Sequence, residues 1–128
     1  RAVKDILEQH SVLIKPGPGK TFVGTAGTIT TLAAMDLRLA EYDPDKINGH
    51  TLTRETVNAI VRSLSASTLN ERRSIPGLEA GREDIILAGA VVTQEIMEQF
   101  GFSTMVVSDG GLREGIVLDL YERLNKGT

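Results

Sequence analysis

Two short apolar segments of this sequence each run into a glycine-rich loop and then directly into a helical pattern. The first is Thr21–Val23, followed by the loop Gly24–Thr28, and the second is Ser103–Val107, followed by the loop Ser108–Gly111. A strand that is followed at once by a helix is typical of parallel α/β folds and not of helix bundles. The sequence therefore predicts a helix-rich α/β fold with two strands.

About five segments carry the apolar spacing of helices. The segment Arg54–Ser65 has apolar residues at helical intervals, with Thr53 as its predicted N-cap. The segment Arg82–Phe100 is apolar around most of its circumference, so we expect it to be largely buried. The remaining predictions are a first helix that ends near His10, a helix over Thr28–Leu39 capped by Thr28 or Thr30, a short helical turn and loop over 67–81, and a last helix after Gly111.

Two strands are too few for an independently stable sheet. They need partners from further chain or from a second copy of the protein. Arg1 already lies inside a helical pattern, so we expect the chain to continue upstream. We also expect a homodimer, because the free strand edges and the apolar helix would otherwise face water.

Composition excludes several classes of function. The chain of 128 residues has 14 Lys and Arg against 17 Asp and Glu, no Trp and few other aromatic residues, which argues against nucleic-acid binding. It has no cysteine, so disulfides, thiolate zinc sites and a cysteine nucleophile are excluded. The apolar runs are far shorter than the roughly 20 residues of a membrane span. We expect a soluble, cytoplasmic protein with no membrane partner.

The two glycine-rich loops are the candidate binding elements. At a strand-to-helix junction the first N–H groups of the helix are free, and small residues let an anion approach them closely. In open parallel sheets ligands gather at this edge, so two such loops predict one cleft with phosphate as its natural guest. The alternative is that each loop is only a tight turn that requires small residues.

Five other features are weaker candidates for a functional role. Arg82, at the start of the apolar helix, is a candidate phosphate clamp, although a solvated arginine at a helix end is the alternative. Asp109 is a candidate for orienting water or a metal, but an N-cap role is favoured, and Arg113 is placed to reach the second loop. The segment 17–21 resembles a Walker A loop only superficially, because Ile14 stands where the pattern needs glycine. The two histidines, His10 and His50, lack neighbouring ligands and are interpreted as surface or capping residues.

Four motifs in series make a family resemblance specific. They are GTAGTITTLAA at 24–34, NGHTLT at 48–53, GREDIILAGA at 81–90 and SDGGLREG at 108–115. In this order and spacing they resemble the C-terminal part of the second domain of the exopolyphosphatase and guanosine pentaphosphate phosphohydrolase family. The resemblance implies an incomplete actin-like, ribonuclease H-like ATPase domain and a parent enzyme that removes terminal phosphate using Mg²⁺.

The resemblance also implies roles for individual residues. The substrate-facing set is Gly24, Thr25, Ala26, Gly27, Thr28 and, with a phosphate contact, Arg82. The supporting set near the cleft is Ser108, Asp109, Gly110, Gly111 and Arg113.

The family's catalytic glutamate, its first phosphate loop and its Asp-Ile-Gly-Gly-Gly-Ser segment have no counterpart in this sequence. No catalytic residue and no metal ligand is therefore assigned here. We interpret residues 1–128 as a portion of the second domain, without the first domain and the first strands of the second, and expect it to be inactive alone. The substrate, polyphosphate or guanosine pentaphosphate, stays open, as do two other functions: a phosphorylated-nucleotide sensing module and a helical interaction domain.

Overall fold

The computed structural model describes residues 2–11 and 19–126, and the glycine- and proline-rich segment at 12–18 lies outside them. The described residues form seven helices and three strands. In chain order they are α1 (Ala2–His10), β1 (Val23–Thr25), α2 (Gly27–Asp36), α3 (Pro44–Ile47), β2 (Thr51–Thr53), α4 (Arg54–Ala66), α5 (Leu69–Arg72), α6 (Ile86–Gln99), β3 (Thr104–Ser108) and α7 (Leu112–Lys126).

The three strands form one sheet in the order β1-β3-β2. β1 runs parallel to β3, with Val23 opposite Val106, as a strand-to-helix pattern predicts. β2 runs antiparallel to β3, with Leu52 opposite Met105. The prediction of two strands is wrong, because the sheet has this third strand. The three residues of β2 alternate exposed, buried and exposed, but so short a run cannot be identified as a strand from sequence. Its last residue, Thr53, lies directly before α4.

The core lies between one face of this sheet and the helices α2, α4 and α6. Its fully buried side chains come from both layers: the sheet contributes Leu52 and Met105, and the helices contribute Leu32, Leu64 and Met97. Burying side chains of this size stabilises a fold by about 1.5–3 kcal/mol each. This packing holds β1, β3 and the start of α2 in fixed relative positions.

The predicted helix over 54–65 is confirmed. α4 covers Arg54–Ala66, and the Thr53 hydroxyl accepts a hydrogen bond of 3.1 Å from the Thr56 N–H. The short helical turn expected within 67–81 is also present, as α5, which has a capping box between Thr68 and Glu71.

The apolar helix is shorter and less buried than predicted. α6 begins at Ile86, so Arg82 lies in the turn before it. The buried residues Ile86, Ala90, Thr93 and Met97 follow one stripe of the helix. Val91 and Val92, on the other side, are 36% and 38% exposed. The helix therefore packs through a single face, and the expectation of burial on most sides is wrong for this chain.

The last helix stands apart from the rest. Every residue of α7 is exposed, although the helix carries seven large apolar side chains. Leu112 is 80% exposed and Leu124 74%. No helix among the described residues is long and apolar enough to cross a membrane.

Candidate functional site

The two glycine-rich loops lie side by side. Because β1 and β3 are parallel neighbours, the loops that follow them leave the sheet at the same edge. The Thr25 hydroxyl donates a hydrogen bond of 2.9 Å to the Gly110 carbonyl, and the Ser108 hydroxyl donates one of 3.1 Å to the same oxygen. Gly24 and Thr25, expected in the loop, are the last two residues of β1. The first loop is thus reduced to Ala26, which joins β1 to α2.

The start of α2 has no capping side chain. Its N-cap is Ala26, and the first-turn N–H groups of Gly27, Thr28 and Ile29 cannot be satisfied within a helix. Ala26 has φ +74° and ψ 175°, a backbone region that is essentially reserved for glycine and costs roughly 1–3 kcal/mol. Backbone strain of this kind clusters at functional sites, where the surrounding structure maintains the strained conformation.

Neither threonine predicted as a cap is one. The Thr28 side chain packs against α6, where a Cβ added to Gly89 would lie 2.5 Å from Thr28 Cγ2. The Thr30 hydroxyl turns back along its own helix, 3.3 Å from the Ala26 carbonyl oxygen. Thr28 therefore contributes its backbone N–H to the start of α2, while its side chain fixes α2 against α6.

Arg82 lies directly over the start of α2. A Cβ added to Gly27 would be 2.6 Å from Arg82 Nη2 and 2.7 Å from Nη1, so the guanidinium occupies the space that the missing side chain leaves. The Nε of Arg82 donates a hydrogen bond of 2.5 Å to Glu79 Oε2. A guanidinium beside the positive end of a helix dipole is an arrangement that attracts a phosphate.

A groove of about 470 Å³ leads away from Arg82 along α2. Thr30, Leu39, Tyr42, Gly77 and Glu79 are among the residues that line it. The hydroxyl of Tyr42, which lines this groove, donates a hydrogen bond to Asp109 Oδ1. Burial and this bond to a carboxylate raise the pKa of Tyr42. Neither Tyr42 nor Glu79 stands in a recognisable sequence motif, and only the fold shows that they belong to this region.

The second loop is closed by its own side chains. Glu114 Oε2 accepts a hydrogen bond of 2.8 Å from the Gly111 N–H, and hydrogen bonds from its own N–H and that of Gly111 lower the pKa of Glu114. Asp109 accepts from Tyr42, and its N–H donates to Asn48 Oδ1 at 3.2 Å. Asp109 thus ties the loop before α3 to the sheet edge. Arg113 lies on the exposed surface of α7.

The described residues offer no group of three or more His, Asp or Glu side chains that could hold a metal ion. His50 Nε2 and Asp36 Oδ2 form a pair at 2.7 Å, and His10 Nδ1 lies 2.9 Å from the Ile6 carbonyl oxygen. Within residues 2–11 and 19–126, these side chains do not form a site for a resident Mg²⁺.

The described residues thus form an α/β arrangement in which parallel strands lead to helices, one of which is uncapped and lies beneath an arginine. The chain belongs to the Ppx/GppA phosphatase family, whose model matches residues 1–124. Its fold is that of the actin-like ATPases, as in the structures of this family.

Three similar proteins illustrate the match. The crystal structure of the Aquifex aeolicus member of the Ppx/GppA family has a TM-score of 0.83 and 33% identity, over 97% of this chain and 40% of that one. Exopolyphosphatase 2 of Mycobacterium tuberculosis is 29% identical over 94% of this chain and 39% of its own length. The bifunctional 3-dehydroquinate synthase/phosphatase of Fusobacterium nucleatum is 31% identical over 80% of this chain and 15% of its own length. The chain thus spans less than half the length of each of these proteins.

Proposed function

We propose that this chain belongs to a phosphohydrolase that removes terminal phosphate from inorganic polyphosphate or from guanosine pentaphosphate, and that it contributes a phosphate-binding site at the start of α2. The observation that carries the proposal is the guanidinium of Arg82 over Gly27, beside first-turn N–H groups that no side chain of the described residues caps. The relatives named as exopolyphosphatases support the choice of substrate class.

The proposed chemistry of the site is binding and charge stabilisation. In phosphoryl transfer most of the catalytic effect comes from positioning and from positive groups aimed at the phosphate oxygens. Here the N–H groups of Gly27, Thr28 and Ile29 would bind one oxygen of a phosphate, and Arg82 Nη1 and Nη2 would bind another. Ser108, Gly110 and Gly111 would support this arrangement from the neighbouring loop.

We propose that activation of the attacking water and the ligands of Mg²⁺ come from parts of the parent protein outside this chain. When bound, Mg²⁺ would neutralise phosphate charge, and Arg82 and the backbone dipoles at the start of α2 would add to this effect. The chain would then be a portion of the second of two actin-like domains. The exposed apolar surface of α7 supports this view, as does the edge of β1 opposite β3, which pairs with no strand among the described residues.

The same exposed surfaces lead us to propose that residues 1–128 alone form a homodimer. Light scattering at low micromolar concentration would show a mass above that of the 13.8 kDa chain. A stable monomer would contradict this proposal.

Phosphate release by the full-length parent tests the function. With Mg²⁺ present, we expect release from polyphosphate or guanosine pentaphosphate, and Arg82→Ala should lower kcat/KM by about tenfold to a hundredfold, the value of charge-assisted hydrogen bonds. Arg73→Ala is the matched control, because the Arg73 side chain is 70% exposed and the nearest neighbours of an added Gly27 Cβ all belong to Arg82. Residues 1–128 alone should release none. Binding of either substrate without release would favour the sensing module instead, and an unchanged Arg82→Ala variant would contradict the proposed site.

A further inference from the structure

Arg72 is a buried charged residue whose hydrogen-bond partners are backbone carbonyls. It is 8% exposed, and its Nη1 and Nη2 each donate a hydrogen bond of 2.8 Å, to the carbonyls of Glu83 and Leu64 respectively. Its Nε has no partner among the described residues. Burial of a charge is costly unless hydrogen bonds compensate it, so the arrangement needs a reason beyond packing.

The two carbonyls that Arg72 joins lie far apart in sequence. Leu64 is in the last turn of α4, where a cation is favourable against the helix dipole. Glu83 directly follows Arg82, the residue over the start of α2. Arg72 therefore fixes the C-terminal part of the loop between α5 and α6 (residues 73–85, here called the arginine loop) to helix α4.

Two more contacts fix the arginine loop. Gly77, with φ +85°, lies so close to α2 that an added Cβ would overlap the Ala34 carbonyl. Glu79 Oε2 accepts a hydrogen bond from Arg82 Nε, so Nη1 and Nη2 are the guanidinium atoms that face Gly27. The loop is thus held at its middle by α2 and near its end by Arg72, and Glu79 sets the rotation of the guanidinium.

We infer that Arg72 and Glu79 are positioning residues for Arg82: they hold its guanidinium at the start of α2 before a phosphate arrives. This inference rests on the proposed function, because it presumes that Arg82 binds phosphate. It adds that the arginine is held in place in advance, so that little conformational freedom is lost on binding.

Calorimetric binding of inorganic tripolyphosphate to the full-length parent tests this inference. Arg72→Met and Arg72→Lys should each weaken binding by about tenfold, the size of a displaced charge-assisted hydrogen bond. In the Arg82→Ala background the same substitutions should change the affinity by less than about twofold, because residues that act through one partner are not additive. A purely structural Arg72 would not give this coupling.

The variant Glu79→Gln provides a second test of the inference, at a residue on the protein surface. The Glu79 side chain is 62% exposed, so this variant should fold normally and still weaken tripolyphosphate binding, but only when Arg82 is present. Arg73→Met is the control: the Arg73 side chain is 70% exposed and its Nε lies 4.0 Å from Glu83 Oε1, a long and weak ion pair, so its loss should leave the affinity unchanged. Thermal unfolding of every variant reports whether the fold is intact.

The following results would overturn either the inference or the proposed site. Unchanged affinity in folded Arg72 and Glu79 variants, or an equal loss with and without Arg82, would overturn it. Failure of both Arg72 variants to fold would also overturn it, because Arg72 would then support the whole domain. Tripolyphosphate binding that is as tight in Arg82→Ala as in the wild type would instead overturn the proposed site itself.

Discussion

The two glycine-rich loops look alike in sequence but end in different ways. The first leads into α2, whose N-cap Ala26 has no hydrogen-bond acceptor in its side chain, and the guanidinium of Arg82 lies above the start of the helix. The second leads into α7, where the Glu114 carboxylate accepts the Gly111 N–H. One helix start is therefore open, under a guanidinium whose Nε is paired with Glu79, and the other is closed by the Glu114 carboxylate.

Because of this difference, we expect the two loops to differ in their ability to bind an anion. Free N–H groups with a neighbouring guanidinium attract an anion, whereas a carboxylate at a helix start satisfies the N–H groups and repels a phosphate. The Thr25 hydroxyl links the two loops through the Gly110 carbonyl, so the closed loop can hold the open one in place. Glu114, three positions after Gly111, caps the second helix, and no such carboxylate caps the first. Similar glycine-rich sequence therefore does not imply similar function.

The largest effect should come from closing the open loop. In Gly27→Ala the new Cβ would lie 2.6 Å from Arg82 Nη2, so the guanidinium must move. We expect tripolyphosphate affinity of the parent to fall by about tenfold or more, as one charge-assisted contact is lost. Gly110→Ala is the matched control in the second loop, because its nearest neighbour, Ser108 Oγ, would be 3.6 Å away. Equal losses in the two variants would remove the distinction between the loops.

A smaller effect, on stability, should follow from relieving the strain at Ala26. Ala26→Gly places glycine at φ +74°, and we expect the free energy of unfolding to rise by about 1 kcal/mol. The control is Ala59→Gly, at an exposed position inside α4, which should lower it by about 0.5–1 kcal/mol. Chemical denaturation measures both. Two variants that are destabilised alike would show that Ala26 carries no strain.

The smallest effect should come from opening the closed loop. Glu114→Gln keeps the geometry but removes the charge, so amide exchange at Gly111 should speed up while tripolyphosphate affinity stays the same. Because the folded state lowers the pKa of Glu114, its contribution to stability is present at neutral pH and is lost as pH falls through the folded-state pKa. The wild type should therefore lose a little more stability than Glu114→Gln between neutral and acidic pH. An opposite order would contradict the role of Glu114 as a cap.

How far sequence could predict this molecule depended on how local the signals are. α4 was predictable because Thr53 and the helical apolar spacing lie within one segment. β2 was not, because three residues carry no period and the strand exists only through its pairing with β3. The burial of α6 was overestimated, because an apolar sequence does not show which neighbours are present to cover it.

The residues of the candidate site also differ in how far local sequence could predict them. The glycine-rich motif predicted the strand-to-helix junction, and the position of Arg82 before the apolar helix made it a candidate phosphate contact, which the family resemblance then repeated. The contacts of Arg82 with Gly27 and of Tyr42 with Asp109 join residues far apart in sequence, so only the packing of the core brings them together. Ala26 could not be predicted as strained, since its unusual φ is imposed by the sheet edge and α2.

We propose that phosphate binds at the start of α2 and not at that of α7. An amide-resonance titration of the full-length parent with inorganic tripolyphosphate tests this difference. We expect saturable shifts of the Gly27, Thr28 and Ile29 amides, with the Arg82 Nε resonance moving along the same binding curve. We expect no comparable shift at Gly111 or Leu112. Equal shifts at both helix starts, or shifts confined to α7, would contradict the proposal.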